Sequence, residues 1–135
     1  MKYEELMKIA EKARENSYCP YSGFSVGAAL LAGDGTVFTG CNIENAAYGP
    51  SNCAERTAFF KAVSEGVTEF QAIAIIGGKK GEQGQFCAPC GVCRQVMAEF
   101  CRVEEFDVVL GTEKELKVYK LKGLLPESFG PDNLK

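Results

Sequence analysis

The chain has 135 residues, 7 cysteines and no histidine, and its length fits one domain, 1–135, with the 46% hydrophobic and 24% charged fractions of an ordinary soluble globular protein. Without histidine there is no Ser-His-Asp or Cys-His nucleophile system, no HExxH zinc helix and no imidazole base, so acid–base chemistry falls to a carboxylate, lysine, tyrosine or thiol. A net charge of -3 with no basic stripe speaks against a nucleic acid polymer as partner.

Leu6, Ile9, Ala10 and Ala13 recur at helical spacing, so an amphipathic helix is expected over 3–16. Tyr18-Cys19-Pro20-Tyr21-Ser22-Gly23 reads as a loop. Runs over 26–32 and 37–43, joined by Gly33-Asp34-Gly35-Thr36, read as a hairpin. A loop over 45–52 leads to a second helix from about Cys53 to Glu65, ended by Gly66. The most apolar run, 70–76, is expected to be the central strand, followed by a Gly-rich loop over 77–88. A third helix is expected from about Cys90 to Phe100, strands over 106–110 and 116–119, and an irregular tail from Leu124. This order implies α/β architecture with one mixed sheet and helices on its faces. No apolar stretch reaches 18 residues, so no membrane span is expected. Glu4 and Glu5 stand where a secretory leader needs a basic then apolar run, and the cysteine count is odd, so reduced thiols and a cytoplasmic location are expected.

Two patches carry chemistry: Cys53-Ala54-Glu55-Arg56 and Pro89-Cys90-Gly91-Val92-Cys93. Each falls where a helix should begin, and a thiolate there gains from the helix dipole and free backbone N–H groups. Cys90 and Cys93 share one helical face. If both helices start on the same side of the sheet, three thiolates converge and leave the fourth zinc position open, as in catalytic sites. Glu55 would lie beside that metal as a proton acceptor. Spacing alone leaves three rivals: an iron–sulfur site on Cys87, Cys90 and Cys93 with Cys53 or Cys101, a closed four-cysteine zinc site using Cys87, or a redox dithiol. Glu55 could instead be the third residue of a capping box led by Asn52. Gly77-Gly78-Lys79-Lys80-Gly81 lacks the P-loop spacing and reads as a surface loop.

Together the two patches resemble those of the zinc-dependent cytidine deaminases, in their small, homotetrameric, three-cysteine branch. The resemblance runs from Tyr18-Cys19-Pro20-Tyr21-Ser22 through Phe24 and Asn42-Ile43-Glu44-Asn45-Ala46 to Leu124-Leu125-Pro126. It implies a three-layer α/β/α fold with a mixed sheet of about five strands. The implied activity is hydrolytic deamination of cytidine and 2′-deoxycytidine in pyrimidine salvage, with one Zn²⁺ per subunit. Cys53, Cys90 and Cys93 would be the zinc ligands and Glu55 the proton shuttle, with water added at C4 of the base. Asn42 and Glu44 would bind the sugar 3′-hydroxyl, Phe24 would wall the pyrimidine, and Ala54 would meet the base through its backbone. Tyr48 and Phe129 would serve sites shared between subunits. Alternatives are a deaminase of a cytosine nucleoside antibiotic of the blasticidin S type, and a non-enzymatic zinc or iron–sulfur module.

Three thiolates give zinc a net charge of -1, a surplus that should weaken it as a Lewis acid. Arg56, with its permanent fork of donors, is expected to hydrogen-bond a ligand sulfur and offset that charge, with Arg94 a weaker candidate.

Overall fold

Phe24–Ala32 (β1) and Phe70–Lys79 (β3) are buried at nearly every position, the pattern of strands covered on both faces. The computed structural model, which describes residues 1–135, pairs them antiparallel with Ala29 opposite Ala74. Val37–Cys41 (β2) folds back on β1 as the expected hairpin, Leu31 facing Val37. Asp107–Thr112 (β4) runs parallel to β3, and Glu115–Lys120 (β5) antiparallel to β4. The sheet order is β2-β1-β3-β4-β5, which puts the most apolar run in the centre.

Side-chain alternation along the strands divides the interior into two cores. On one face Ala29, Leu31, Ala72, Ala74, Ile76 and Val109 meet Leu6, Met7 and Ala10 of the helix Tyr3–Ala13 (α1). On the other, Ala28, Leu30, Ile73, Ile75, Val108 and Leu110 meet the helices Ala54–Ser64 (α2) and Gly91–Phe100 (α3). The result is the expected three-layer α/β/α arrangement around a five-stranded mixed sheet. Phe59 of α2 anchors the second core against Phe70, Phe100 and Phe106. Burying a side chain of that size contributes about 1.5–3 kcal/mol. The helix α3 makes the crossover between the parallel strands β3 and β4.

Two glycines let the helices sit close. A Cβ on Gly27 would lie 2.0 Å from the Ala10 carbonyl oxygen, and one on Gly40 2.3 Å from that of Ala54. Gly27 points to the α1 face and Gly40 to the α2 face, so each helix backbone rests on a bare patch of sheet.

Several expected boundaries move. The regular turns of α1 end at Ala13, and Arg14–Asn16 form a 3₁₀ turn. The strand β1 begins earlier, at Phe24, and β2 ends at Cys41 instead of reaching 43. At Asn42 the side chain joins the backbone in tying the strand end to β1: the N–H donates to the Val26 carbonyl at 3.3 Å, Oδ1 accepts from the Val26 N–H at 2.8 Å and Nδ2 donates to the Phe24 carbonyl at 2.8 Å. Residues 77–79, expected in a loop, continue β3. The tail is not wholly irregular: Leu121–Leu124 form a short helix (α4) and Pro131–Leu134 a 3₁₀ turn. No helix is long and apolar enough to cross a membrane.

Candidate metal centre and its cavity

Cys53 is the N-cap residue of α2 and Cys90 that of α3, both with extended backbone. Neither side chain caps its own helix, which leaves both thiols free to face one another. The alternative reading of Glu55 as part of a capping box is therefore not met: Glu55 is the second residue of α2, and the Asn52 amide instead donates to the Thr57 hydroxyl at 3.1 Å. Cys93, one turn into α3, is fully buried. The Sγ of Cys90 lies 3.9 Å from that of Cys53 and 3.4 Å from that of Cys93, and all three fall within 4.8 Å of one another. A tetrahedral zinc with Zn–S bonds of about 2.3 Å sets its sulfurs about 3.8 Å apart, so the donor set fits the ion. No fourth cysteine, aspartate or glutamate joins the group. Cys87 and Cys101 both stand outside it, which removes the geometric basis for a closed four-cysteine site or an iron–sulfur cluster using either of them.

The Arg56 Nη2 donates to the Cys53 Sγ at 3.2 Å, the contact expected of it, and its buried Nε has no protein partner. Hydrogen bonding with the Cys93 thiol, with help from Arg56, holds the Cys53 thiol below its usual range. The expectation for Arg94 is not met. Its Nε donates to the Pro89 carbonyl at 2.8 Å and its Nη1 to that of Leu124 at 2.6 Å, so it ties the loop before α3 to α4 and spends its donors away from sulfur.

Beside the thiols opens a cavity of about 520 Å³, within the usual range for small-molecule sites. Glu55 lines it while only 4% exposed. Burial pushes the Glu55 carboxyl up to about 7, and the nearby Cys53 adds to the rise. Ala54, Arg56, Asn42, Glu44 and Tyr48 share the lining. The side chains of Asn42 and Glu44 are held in place by residues that carry no role in the sequence reading. The Ser17 hydroxyl donates to Asn42 Oδ1 at 2.5 Å. Glu44 accepts from the Tyr21 and Ser22 N–H groups at 3.0 and 3.1 Å and from the Ser22 hydroxyl. These bonds, the Ser22 hydroxyl foremost, hold the Glu44 carboxyl below its usual range. In the sequence Ser22 stands only as the last residue of the Tyr18-Cys19-Pro20-Tyr21-Ser22 stretch, with no role of its own.

Two predicted residues lie off the cavity lining. Phe24 is 41% exposed, so it is not plain core, and its ring shares with Cys87 the space above the bare Cα of Gly77. Cys87 does line the cavity, and burial raises its thiol to about 11. Phe129 is exposed and its carbonyl accepts from Gln95 Nε2 at 2.6 Å, outside the cavity of its own chain.

The family described as cytidine and deoxycytidylate deaminase zinc-binding region matches residues 1–110. The chain belongs to this deaminase family. A cytidine deaminase of Sporosarcina psychrophila is 48% identical over 134 residues, covering 99% of this chain and 96% of the relative. One of Halalkalibacterium halodurans is 46% identical over 134 residues, covering 99% and 98%. The crystal structure of cytidine deaminase from Burkholderia pseudomallei superposes with a TM-score of 0.86 at 48% identity, covering 96% of this chain and all of that one. Both the deaminase family and the three-thiol donor set assign Zn²⁺ as the metal.

Proposed function

We propose that this chain hydrolyses the 4-amino group from cytidine and 2′-deoxycytidine, giving uridine or 2′-deoxyuridine and ammonia. The observation that carries the reading is the buried Glu55 carboxyl, set beside three converging thiols and open to a cavity of nucleoside size. Relatives at 46–48% identity named cytidine deaminase support it. So does a net charge of -3, which suits a free nucleoside better than a polymer.

Cys53, Cys90 and Cys93 would hold the zinc, which when bound would supply a Lewis acid that lowers the pKa of water toward ~7. Glu55 then manages the protons. A carboxyl poised near neutrality takes one proton of the water that adds at C4 and delivers it to N3 of the ring, then takes the second from the new C4 hydroxyl and gives it to the amine, which leaves as ammonia while the C4 carbonyl forms. Arg56 spreads positive charge onto Cys53 and offsets the surplus of the three thiolates. Glu44 has about four lone-pair directions and uses three on Tyr21 and Ser22, which leaves one for the sugar 3′-hydroxyl. Asn42 Nδ2 keeps one N–H free beyond its bond to Phe24 and donates it to the same hydroxyl oxygen. Ala54 meets the base through its backbone, and Phe24, off the lining itself, backs the wall that Cys87 presents to the ring.

Residues 1–135 act as one domain, and four copies assemble into a homotetramer in the cytoplasm, serving pyrimidine salvage. The exposure of Tyr48 (82%) and Phe129 (59%) suits residues that reach a neighbouring subunit's site.

The test is to incubate zinc-loaded protein with cytidine, 2′-deoxycytidine, CMP and blasticidin S and follow loss of the 4-amino group. Turnover of both nucleosides is expected. No turnover of either would sink the reading, and turnover of blasticidin S alone would assign the chain to antibiotic deamination.

A further inference from the structure

Arg14 is a charged residue with 5% of its side chain exposed, on the face of the sheet opposite the thiols. It follows α1 directly, and the bare Gly27 lets it lie against β1. Every polar arm of its guanidinium is engaged. Nε donates to the Ser25 carbonyl at 2.9 Å, Nη2 to that of Lys79 at 3.2 Å, and Nη1 to that of Glu82 at 3.1 Å and to Glu11 Oε1 at 2.6 Å. The loop it grips lies flat on it: a Cβ on Gly84 would sit 2.8 Å from Arg14 Nη1 and 2.5 Å from Glu11 Oε2.

These contacts join two segments that form the cavity on the other side. Ser25 stands between Phe24 and Val26, and Val26 lines the cavity and donates to Asn42. The gripped loop returns to the sheet at Gln85, which exchanges two backbone bonds with Gly77 at 2.8 and 3.2 Å, and then delivers Cys87 and Cys90. A rigid, five-donor fork is suited to such a junction, whereas an ammonium offers a single point charge.

We infer that Arg14 is a positioning residue that sets, from the far face of the sheet, the spacing between the Phe24–Val26 wall and the loop carrying Cys87. It touches neither substrate nor metal. The inference rests on the deaminase reading of the cavity, and its consequence falls on substrate binding more than on chemistry, because Glu55 and Cys93 are held separately by the α2 and α3 cores.

Three variants test it: Arg14→Lys, Arg14→Gln and, from the loop side, Gly84→Ala. Each is assayed for zinc content, for kcat and KM with cytidine, and for hydrogen exchange at single amides. The expected result is one zinc per chain and a KM about ten-fold or more higher, with kcat changed much less. The amides of Gly77 and Gln85 should exchange faster while those of Ile73 and Ile75 keep their protection. An unchanged KM in folded, zinc-loaded Arg14→Lys and Gly84→Ala overturns the inference. Uniformly faster exchange across β3 overturns it too, since Arg14 would then serve general stability alone. If the Arg14 variants do not fold, Gly84→Ala decides. If the unsubstituted protein turns over no nucleoside, the deaminase reading fails by itself, while exchange at Gly77 and Gln85 still reports whether Arg14 holds the loop.

Discussion

Glu55 and Arg56 are neighbours in sequence for which we propose separate tasks, and each task has its own signature. Replacing Glu55 by Gln keeps size and polarity but removes the titrating proton. Turnover of cytidine should fall by about 10²–10⁴-fold while zinc content, read by metal analysis, stays at one per chain. Replacing Arg56 by Gln removes the positive charge from Cys53. The pH–rate profile should move to higher pH at full zinc occupancy, and an unmoved profile would falsify the charge-offset role. Both residues stood out in the sequence because few chemistries place a carboxylate and a guanidinium two and three residues after a thiol at a helix start. Ser17 and Ser22 were not, since a hydroxyl in a loop has many uses and only the folded contacts with Asn42 and Glu44 single these two out. Arg14 was hidden for a related reason: on a sequence that reads as amphipathic helix, an arginine near the end looks like solvent-facing charge.

The elements themselves were readable from periodicity, and their junctions were not. The helix α2 meets the sheet at Gly40, where a Cβ would be 2.3 Å from the Ala54 oxygen. Gly40→Ala must push the start of α2 away and carry Cys53 and Glu55 with it. A loss of about 1–3 kcal/mol in unfolding free energy and weaker zinc affinity are expected, measured by denaturant titration and competition with a chromophoric chelator. Nothing in the alternation of β2 announces that close approach. Another junction ties α1 to β4, where the Tyr3 hydroxyl donates to Asp107 Oδ2 at 2.6 Å beside the Lys120–Asp107 ion pair at 2.7 Å. Burial first, and the bond to Asp107 second, raise the Tyr3 phenol from 10.0 to about 12. A folded-state pKa above the unfolded one means that this contribution is complete below pH 10 and is lost as pH rises through about 12. Tyr3→Phe should therefore flatten the alkaline loss of stability in that window, as read by urea midpoints across the range. A parallel offset at every pH would assign the effect to packing alone.

At the scale of the molecule, three layers follow from one pattern: strands apolar on both faces demand a cover on each side. That much was visible in runs such as 70–76. The assignment of α1 to one side and of α2 and α3 to the other was not, because parity along a fully buried strand is silent until the partners are known. One consequence of the shared position of the α2 and α3 starts concerns chain topology. An ion held by both Cys53 and Cys90 would span 37 residues of chain and enclose the whole of α2 and β3. It would thus be a removable cross-link as well as a reagent. By loop-closure entropy a tie of that length disfavours the unfolded chain by about 4 kcal/mol, provided the unfolded chain kept the tie. An ion that leaves on unfolding acts instead by mass action, with stability rising logarithmically in free zinc. The two regimes differ in a single plot: melting temperature should climb without limit against the logarithm of free zinc if the tie opens on unfolding, and reach a plateau if the denatured thiols keep their grip.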